Sequence, residues 1–157
     1  MSIILARIDD RLVHGQVTEG WCSRLKPEVV LIVSDEVSSS QWHSELCLAS
    51  LPCCFEGIVV AVDEAYVAIN KLENDTRGAY VLFESPKDAY TAVKNGANLV
   101  SINVGGMHST KGKREILDYI FVDEKDTEYL KALHDMNIEL DFRDLPDHEN
   151  ADVISKL

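Results

Sequence analysis

A chain of 157 residues is about the length of one domain and can bury a substantial hydrophobic core. Hydrophobic residues make up 46% of it, and 27 acidic residues outnumber 15 basic ones, which leaves a net charge of −12. This balance argues against a general nucleic-acid surface and against attraction to anionic lipid. No segment approaches the apolar length of a membrane span, and the amino terminus lacks a signal-peptide pattern, so we expect a cytoplasmic protein with a single domain over residues 1–157.

The hydrophobic pattern alternates between strands and helices along the chain. The predicted strands lie near residues 2–8, 28–34, 57–62, 79–83, 98–103, 119–122 and 138–143. The predicted helices lie near residues 16–25, 36–50, 64–74, 86–95 and 124–136. Several strands are unbroken apolar runs such as VVLIV, which are typical of a sheet covered on both faces. The alternation predicts an α/β fold with a doubly wound, mostly parallel sheet and helices on both faces.

The segment RIDDRLVHGQV, residues 7–17, joins the first strand to the first helix. His14 lies in this loop at the carboxyl end of the strand, where open α/β sheets bind ligands. A neutral imidazole nitrogen can attack phosphorus, while the guanidinium groups of Arg7 and Arg11 can bind phosphoryl oxygens in a bidentate manner. The helix that begins after Gly15 adds N–H groups and the positive end of its dipole. The segment predicts a phosphohistidine site, against the simpler interpretation of a solvated loop histidine between surface arginines.

Two carboxylates stand between these arginines. Asp9 or Asp10 could accept a hydrogen bond from the non-attacking nitrogen of His14, which would fix its tautomer, or could hold an arginine in place. A capping role for one of the two carboxylates is the alternative.

The loop sequence resembles the active-site loop of enzyme IIB components of the bacterial sugar phosphotransferase system (PTS), mannose/fructose/sorbose class. In that family the histidine of R-x-D-D/E-R-L-x-H-G-Q is phosphorylated. The resemblance continues through VLIVSDEV (30–37), SINVGGM (101–107), GK (112–113), VDEKD (122–126) and DVISKL (152–157), and therefore covers nearly the whole chain. It implies that His14 is phosphorylated, that Arg11 contacts the phosphoryl group, and that Arg7, Asp9 and Asp10 support the loop.

The resemblance also implies a function. His14 would accept a phosphoryl group from the phosphohistidine of an enzyme IIA domain and pass it to a sugar held by the membrane subunits IIC and IID. The sequence contains no fused IIA domain, so we expect the donor to be a separate chain, with this protein peripherally associated with the membrane permease. No metal, organic cofactor or nucleic acid is implied, and the four cysteines form no CxxC pair and are expected to be thiols.

Two acidic positions follow later strands. Ser34-Asp35-Glu36 ends the second strand and begins a helix, so Asp35 is predicted to be primarily a cap, with a direct role at the site as the alternative. Glu84 stands where the family usually has a small hydroxyl or amide residue. A carboxylate there would repel a phosphoryl donor unless it points away or pairs with a cation such as Lys87.

A second group of candidates follows the apolar run near residue 100. Gly105 and Gly106 are predicted to form a strand-end loop, and in the family the corresponding loop lies beside the active histidine, so we expect their N–H groups to face the phosphoryl group. Lys111 and Lys113 would add mobile positive charge, and we expect IIA to dock on the face formed by these elements and the His14 loop. His108 departs from the aromatic or bulky residue common soon after GGM in the family.

Two other functions stay open or are disfavoured. A regulatory phosphorylation module would use the same chemistry at His14 without transport, and the departures at Glu84 and His108 leave that alternative open. Neighbouring genes for IIC and IID would favour transport. A nucleotide-binding module on the same fold is disfavoured, because the chain has neither a GxGxxG nor a Walker loop.

Overall fold

The computed structural model describes residues 2–157, so only Met1 of the predicted 1–157 domain lies outside the described residues. The strands are β1 (Ile3–Asp9), β2 (Val29–Val33), β3 (Glu56–Val60), β4 (Ala79–Phe83), β5 (Ser101–Gly106), β6 (Arg114–Leu117), β7 (Ile120–Val122) and β8 (Glu139–Asp141). The helices are α1 (Ser23–Leu25), α2 (Asp35–Ser38), α3 (Gln41–Ala49), α4 (Ala65–Glu73), α5 (Pro86–Lys94) and α6 (Glu124–Asp135). A π-helical segment, Gln16–Cys22, runs directly into α1.

Six strands form a parallel sheet in the order β3-β2-β4-β1-β5-β8. This confirms the predicted α/β class and the mostly parallel sheet. The strand predicted near 119–122 is not part of it. That segment, β7, pairs antiparallel with β6 in a separate hairpin, and β6 was not predicted.

Side chains on both faces of the sheet are buried against helices. Along β2, Val29, Leu31 and Val33 join one hydrophobic cluster, whereas Val30 and Ile32 join another. Residues of α4, α5 and α6 complete the first cluster, and residues of the π-helical segment and α3 pack in the second. Because successive side chains of a strand point to opposite faces, a fully apolar strand requires this cover on both sides.

The helix predicted at 36–50 is two helices, α2 and α3, separated at a run of serines. The Ser40 side chain accepts a hydrogen bond from the N–H of His43 and so caps α3. Serine hydroxyls compete with the helical backbone for such hydrogen bonds, which favours a new helix start over continuation.

The connections that follow β1 and β5 run to opposite sides of the sheet, and β1 ends beside this point. β1 lies between β4 and β5; the chain leaves β1 for β2 on one side, and leaves β5 for β8 on the other. Ligands of open α/β sheets bind at such a switch point, beyond the carboxyl ends of the strands. Among the described residues, no helix has both the length and the apolar character needed to cross a bilayer.

Candidate active site

The loop after β1 turns sharply within three residues. The N–H of Leu12 donates to the carbonyl of Asp9 at 3.0 Å, and Leu12 adopts a φ of 55° with its side chain buried. A left-handed conformation is unfavourable for leucine and is maintained here by packing of that side chain into the core. The turn brings His14 back over Asp9, the last residue of the strand.

His14 is oriented by Asp9. Its Nε2 lies 2.8 Å from Asp9 Oδ2, and its side chain is 15% exposed. Burial alone would raise the pKa of Asp9, but the hydrogen bond with His14 and the charge of Arg7 outweigh it and hold that pKa below its ordinary value. An ionised carboxylate can only accept a hydrogen bond, so Nε2 is the donor, and it is Nδ1 that has the lone pair in the neutral form of the ring. Of the two predicted candidates, Asp9 is therefore the carboxylate that orients the ring.

Arg7 lies behind Asp9 and does not face the surface. Its side chain is fully buried, with Nη2 3.0 Å from Asp9 Oδ2 and Nη1 2.6 Å from Asn103 Oδ1. Its guanidinium carbon lies 5.5 Å from the centre of the Trp21 ring. The expectation that Arg7 grips phosphoryl oxygens is corrected by this burial. Arg7 instead pairs with the carboxylate of Asp9, and the supporting role that the resemblance implied stays a prediction.

Arg11 is the arginine at the surface of the site. Its Nη2 donates to Gln16 Oε1 at 2.8 Å and its Nε lies 3.4 Å from Asp9 Oδ1, while 40% of its side chain is exposed. These contacts hold the guanidinium beside the His14 loop without enclosing it. Arg11 therefore stays the candidate for phosphoryl contact.

Gly105 and Gly106 lie directly against the buried ion pair of Arg7 and Asp9. Both lie inside β5 and are buried, so the predicted strand-end loop is corrected. A Cβ on Gly105 would stand 1.8 Å from Cζ of Arg7, and one on Gly106 would stand 2.9 Å from the carboxylate of Asp9. The side chains of Arg7 and Asp9 lie against the Cα atoms of this pair, because β1 pairs directly with β5. The expected contact of the Gly105 and Gly106 N–H groups with a phosphoryl group stays a prediction.

Asp10 connects the His14 loop to the segment after β5. Its Oδ2 accepts from the backbone N–H of His108 at 2.7 Å, and its Oδ1 lies 2.5 Å from His108 Nδ1. His108, a departure from the family pattern, thus has a specific partner. Asp10 supports the site by joining two loops.

Of the two lysines predicted to carry mobile charge, one is exposed and the other forms an ion pair. Lys111 is exposed, but Lys113 Nζ lies 2.8 Å from Asp126 Oδ2 at the start of α6. Arg114 donates to the carbonyl of Lys156 at 3.1 Å. The expectation of mobile charge at Lys113 is corrected by its ion pair.

The two acidic positions after β2 and β4 have partners other than those predicted, and Glu84 lines a surface cavity together with Asp10 and Arg11. Ser34, not Asp35, caps α2 by accepting from the N–H of Val37 at 3.1 Å. Asp35 Oδ1 instead accepts from the N–H of Val62 at 2.8 Å, which corrects its predicted capping role. Glu84 accepts a hydrogen bond of 2.5 Å from the Ser34 hydroxyl, so its partner is not Lys87.

The profile of the family "PTS system sorbose subfamily IIB component" matches residues 3–157 of the chain. The chain belongs to this family. As a IIB component of the sorbose/mannose class, it takes part in sugar phosphotransfer.

Curated relatives agree with this assignment. The IIB component is 31% identical to the sorbose-specific EIIB component of Lacticaseibacillus casei and 30% identical to the fructose-specific EIIB component of Bacillus subtilis; each alignment covers all of this chain and 96% of the relative. It is 36% identical to the mannose-specific EIIAB component of Escherichia coli, of which the alignment covers 50%.

Solved structures share the fold. The IIBSor domain of the sorbose permease from Klebsiella pneumoniae superposes with a TM-score of 0.90 at 28% identity, over 99% of this IIB component and 96% of that chain. The likeness confirms the doubly wound architecture over nearly the entire length.

Sequence reasoning missed two residues of the site in this IIB component. Asn103 bridges Arg7 to the backbone near the carboxyl terminus, and Trp21 stacks on Arg7. The one available signal for Asn103 was an amide side chain inside the apolar run that forms β5, because a polar group in a covered strand needs a buried partner. For Trp21 no local pattern distinguishes stacking on arginine from ordinary core packing.

Proposed function

We propose that this IIB component is a phosphohistidine carrier, a protein-Nπ-phosphohistidine-sugar phosphotransferase. Nδ1 of His14 accepts a phosphoryl group from the phosphohistidine of a IIA domain and passes it to a sugar held by IIC and IID subunits at the cytoplasmic face of the membrane. The observation that carries this proposal is the hydrogen bond of His14 Nε2 with the ionised Asp9, because it leaves Nδ1 as the nucleophile.

The first transfer needs positioning and charge stabilisation. The lone pair of Nδ1 forms the new bond to phosphorus while the bond from phosphorus to the donor imidazole breaks, and that electron pair stays on the donor nitrogen. The ring of His14 then carries a positive charge, which the Asp9 carboxylate stabilises at 2.8 Å. Arg11 binds the phosphoryl oxygens as they approach.

The second transfer reverses these changes. A sugar hydroxyl oxygen attacks phosphorus, the bond to Nδ1 breaks, and its electron pair returns to the neutral ring, while the hydroxyl proton passes to solvent. In-line transfer of this kind asks for little covalent help from the protein.

The relatives support a IIA donor and a role in transport. The Escherichia coli relative is named as a joined EIIAB component, and the relatives' names include sorbose, fructose and mannose. These names favour transport over the regulatory alternative, but they differ in the sugar.

Phosphotransfer from a phosphorylated IIA domain, followed by mass mapping, tests the proposal. Wild-type protein should gain one acid-labile phosphoryl group on the peptide that contains His14, and His14→Gln should gain none. His134→Gln is the matched control, since His134 is exposed on α6 and should not affect labelling. Normal acid-labile labelling of His14→Gln would contradict the assignment.

A further inference from the structure

We propose that Asn103 is a positioning residue for phosphotransfer, which acts on His14 through Arg7 and Asp9. This inference rests on the proposed function of His14. Asn103 touches neither the imidazole nor the open side of the site, so its effect has to pass through the two buried charged groups between them.

The amide of Asn103 is fixed in one orientation. Its side chain is buried, with Nδ2 donating to the carbonyl of Arg143 at 2.8 Å and to that of Asp141 at 3.2 Å. Both donors are used by backbone carbonyls, so Oδ1 must point away from them. It points at Nη1 of Arg7, at 2.6 Å.

Arg7 transmits this orientation to a single oxygen atom. Its Nη2 donates to Asp9 Oδ2 at 3.0 Å, and the same Oδ2 accepts from His14 Nε2 at 2.8 Å. Arg7 and Asn103 are register partners on the parallel strands β1 and β5, so the amide and the guanidinium are held by the sheet itself. Asn103, Arg7 and Asp9 are each 0–1% exposed, and solvent does not compete for these bonds.

A neutral acceptor suits this position. Without the amide oxygen, Nη1 of Arg7 would keep only the long contact of 3.4 Å with the carbonyl of Arg143. A buried guanidinium that is satisfied so weakly is costly, and it would move or draw the Asp9 carboxylate away from His14. A carboxylate in place of Asn103 would compete with Asp9 for Arg7 and remove two donors from the carbonyls. The amide satisfies Nη1 and leaves the charge of Arg7 to Asp9.

The test compares Asn103→Leu with Asn70→Leu. Asn70 also joins backbone groups, through a donation to the Gly96 carbonyl at 2.9 Å and an acceptance from the Asn98 N–H at 2.9 Å, but it lies on α4, away from His14. Two quantities are measured on each protein. One is the tautomer of His14, from ¹⁵N NMR shifts of the labelled imidazole, and the other is the rate of phosphotransfer from phosphorylated IIA.

We expect wild type and Asn70→Leu to keep the proton of His14 on Nε2 and to transfer at the same rate. Asn103→Leu should show a mixture of tautomers and a rate about tenfold lower, which corresponds to about 1.4 kcal/mol of transition-state stabilisation. Asn103→Ser, which restores a small acceptor, should recover part of both. Asn103→Ala, which removes the acceptor with a smaller side chain than leucine, serves as the test if Asn103→Leu does not fold.

A folded Asn103→Leu with the wild-type tautomer and rate would overturn the inference. If Asn103→Leu does not fold, a soluble Asn103→Ala indistinguishable from wild type would overturn it. Failure of the proposed function would look different, because wild-type protein itself would gain no phosphoryl group. The tautomer measurement needs no phosphoryl donor, so it decides the positioning role in either case.

Discussion

The proposed role of His14 as a nucleophile depends on the different surroundings of its two ring nitrogens. Nε2 is bound to a buried carboxylate, and that carboxylate is in turn bound to a buried guanidinium. Each group fixes the one before it, and the negative charge of Asp9 faces the ring that would become positively charged in the proposed transfer. Arg11 is the positively charged residue of this loop that is exposed to solvent.

Arg11→Lys should slow phosphotransfer far more than it affects folding. Lysine keeps the charge but loses the bidentate fork, and loss of a charge-assisted contact in the transition state lowers the rate on the order of a hundredfold. The 40% exposure of the side chain predicts an unchanged melting temperature. Arg24→Lys is the control, since that exposed arginine pairs with Asp147. Equal transfer rates for Arg11→Lys and wild type would show that Arg11 does not touch the phosphoryl group.

Asp9 should make the stability of the protein depend on pH. Its pKa is below the ordinary value in the folded state, because the effects of His14 and Arg7 exceed that of burial. A carboxyl group with a lowered folded-state pKa stabilises the fold above its unfolded pKa of about 4, and this contribution is lost as the pH falls through the folded pKa. Asp9→Asn should therefore lower the free energy of unfolding by about 3 kcal/mol at pH 7.

Urea unfolding of wild type and Asp9→Asn at a series of pH values checks this expectation. The difference between the two proteins should narrow below about pH 4, where Asp9 takes up a proton and resembles the amide. A difference that stays constant from pH 7 to pH 3 would rule out a lowered pKa for Asp9.

Contacts of the site were predictable where both residues lie in the same loop. The closeness of Asp9, Asp10 and His14 within one loop predicted that one of the two carboxylates could bind the ring, and the structure shows that it is Asp9. The burial of Arg7 was not predictable in the same way, because its partner Asn103 lies 96 residues away and only the β1–β5 pairing brings them together. The contact of Gly105 with Arg7 was unpredictable for the same reason, because it depends on which strand lies beside β5.

At the scale of elements, the pairing of β1 with β5 determines which side chains β5 can carry beside Arg7 and Asp9. Gly105 lies where an added Cβ would meet the guanidinium of Arg7, and Arg7 cannot move away because both of its ends are bonded. Close approach of a strand backbone to a buried side chain is a position that only glycine tolerates.

Gly105→Ala should lower the free energy of unfolding by about 3 kcal/mol, because overpacking adds to the disruption of a buried ion pair. Gly15→Ala is the matched control. Gly15 has helical φ and ψ of −55° and −41°, and none of the other described residues would lie within 4 Å of its Cβ. It should leave stability unchanged or raise it by up to about 1 kcal/mol. Coincident urea midpoints for Gly105→Ala and wild type would contradict the assigned role of Gly105.

The elements of the sheet were predictable because covered parallel strands are continuous apolar runs. The β6–β7 hairpin was only half predicted, since β6 reads REIL and carries charges and partial burial instead of an apolar run. The break between α2 and α3 depends on a hydroxyl cap, which outweighed the helical periodicity across residues 36–50.

For the molecule as a whole, the net charge of −12 makes the few exposed cations near the site important for recognition. Lys113 and Arg114 are engaged within the protein, so the expected docking charge reduces to Lys111 together with Arg11. Local charge steers association even on an acidic protein, and salt screens it.

Lys111→Glu should slow association with a phosphorylated IIA domain and reduce its dependence on ionic strength. Lys71→Glu makes the same change in net charge at the other end of the strands, away from His14. Lys71 lies near Glu73, whose carbonyl accepts a hydrogen bond from Ser2 beside the start of β1. It should leave the association rate nearly unchanged. Stopped-flow measurements over a range of salt concentrations compare the three proteins. Parallel salt slopes for wild type and Lys111→Glu would exclude docking over Lys111.

The contacts of Arg7 also have a consequence for synthesis of the chain. β1 is made before β5 and β8, and Arg7 meets Asn103 and the carbonyl of Arg143 only across separations of 96 and 136 residues. While the ribosome is still working, a partial chain holds His14 and Asp9 without the groups that fix them. The ring of His14, the proposed nucleophile, therefore gains its fixed orientation only after residues 103 and 143 have emerged and folded against β1.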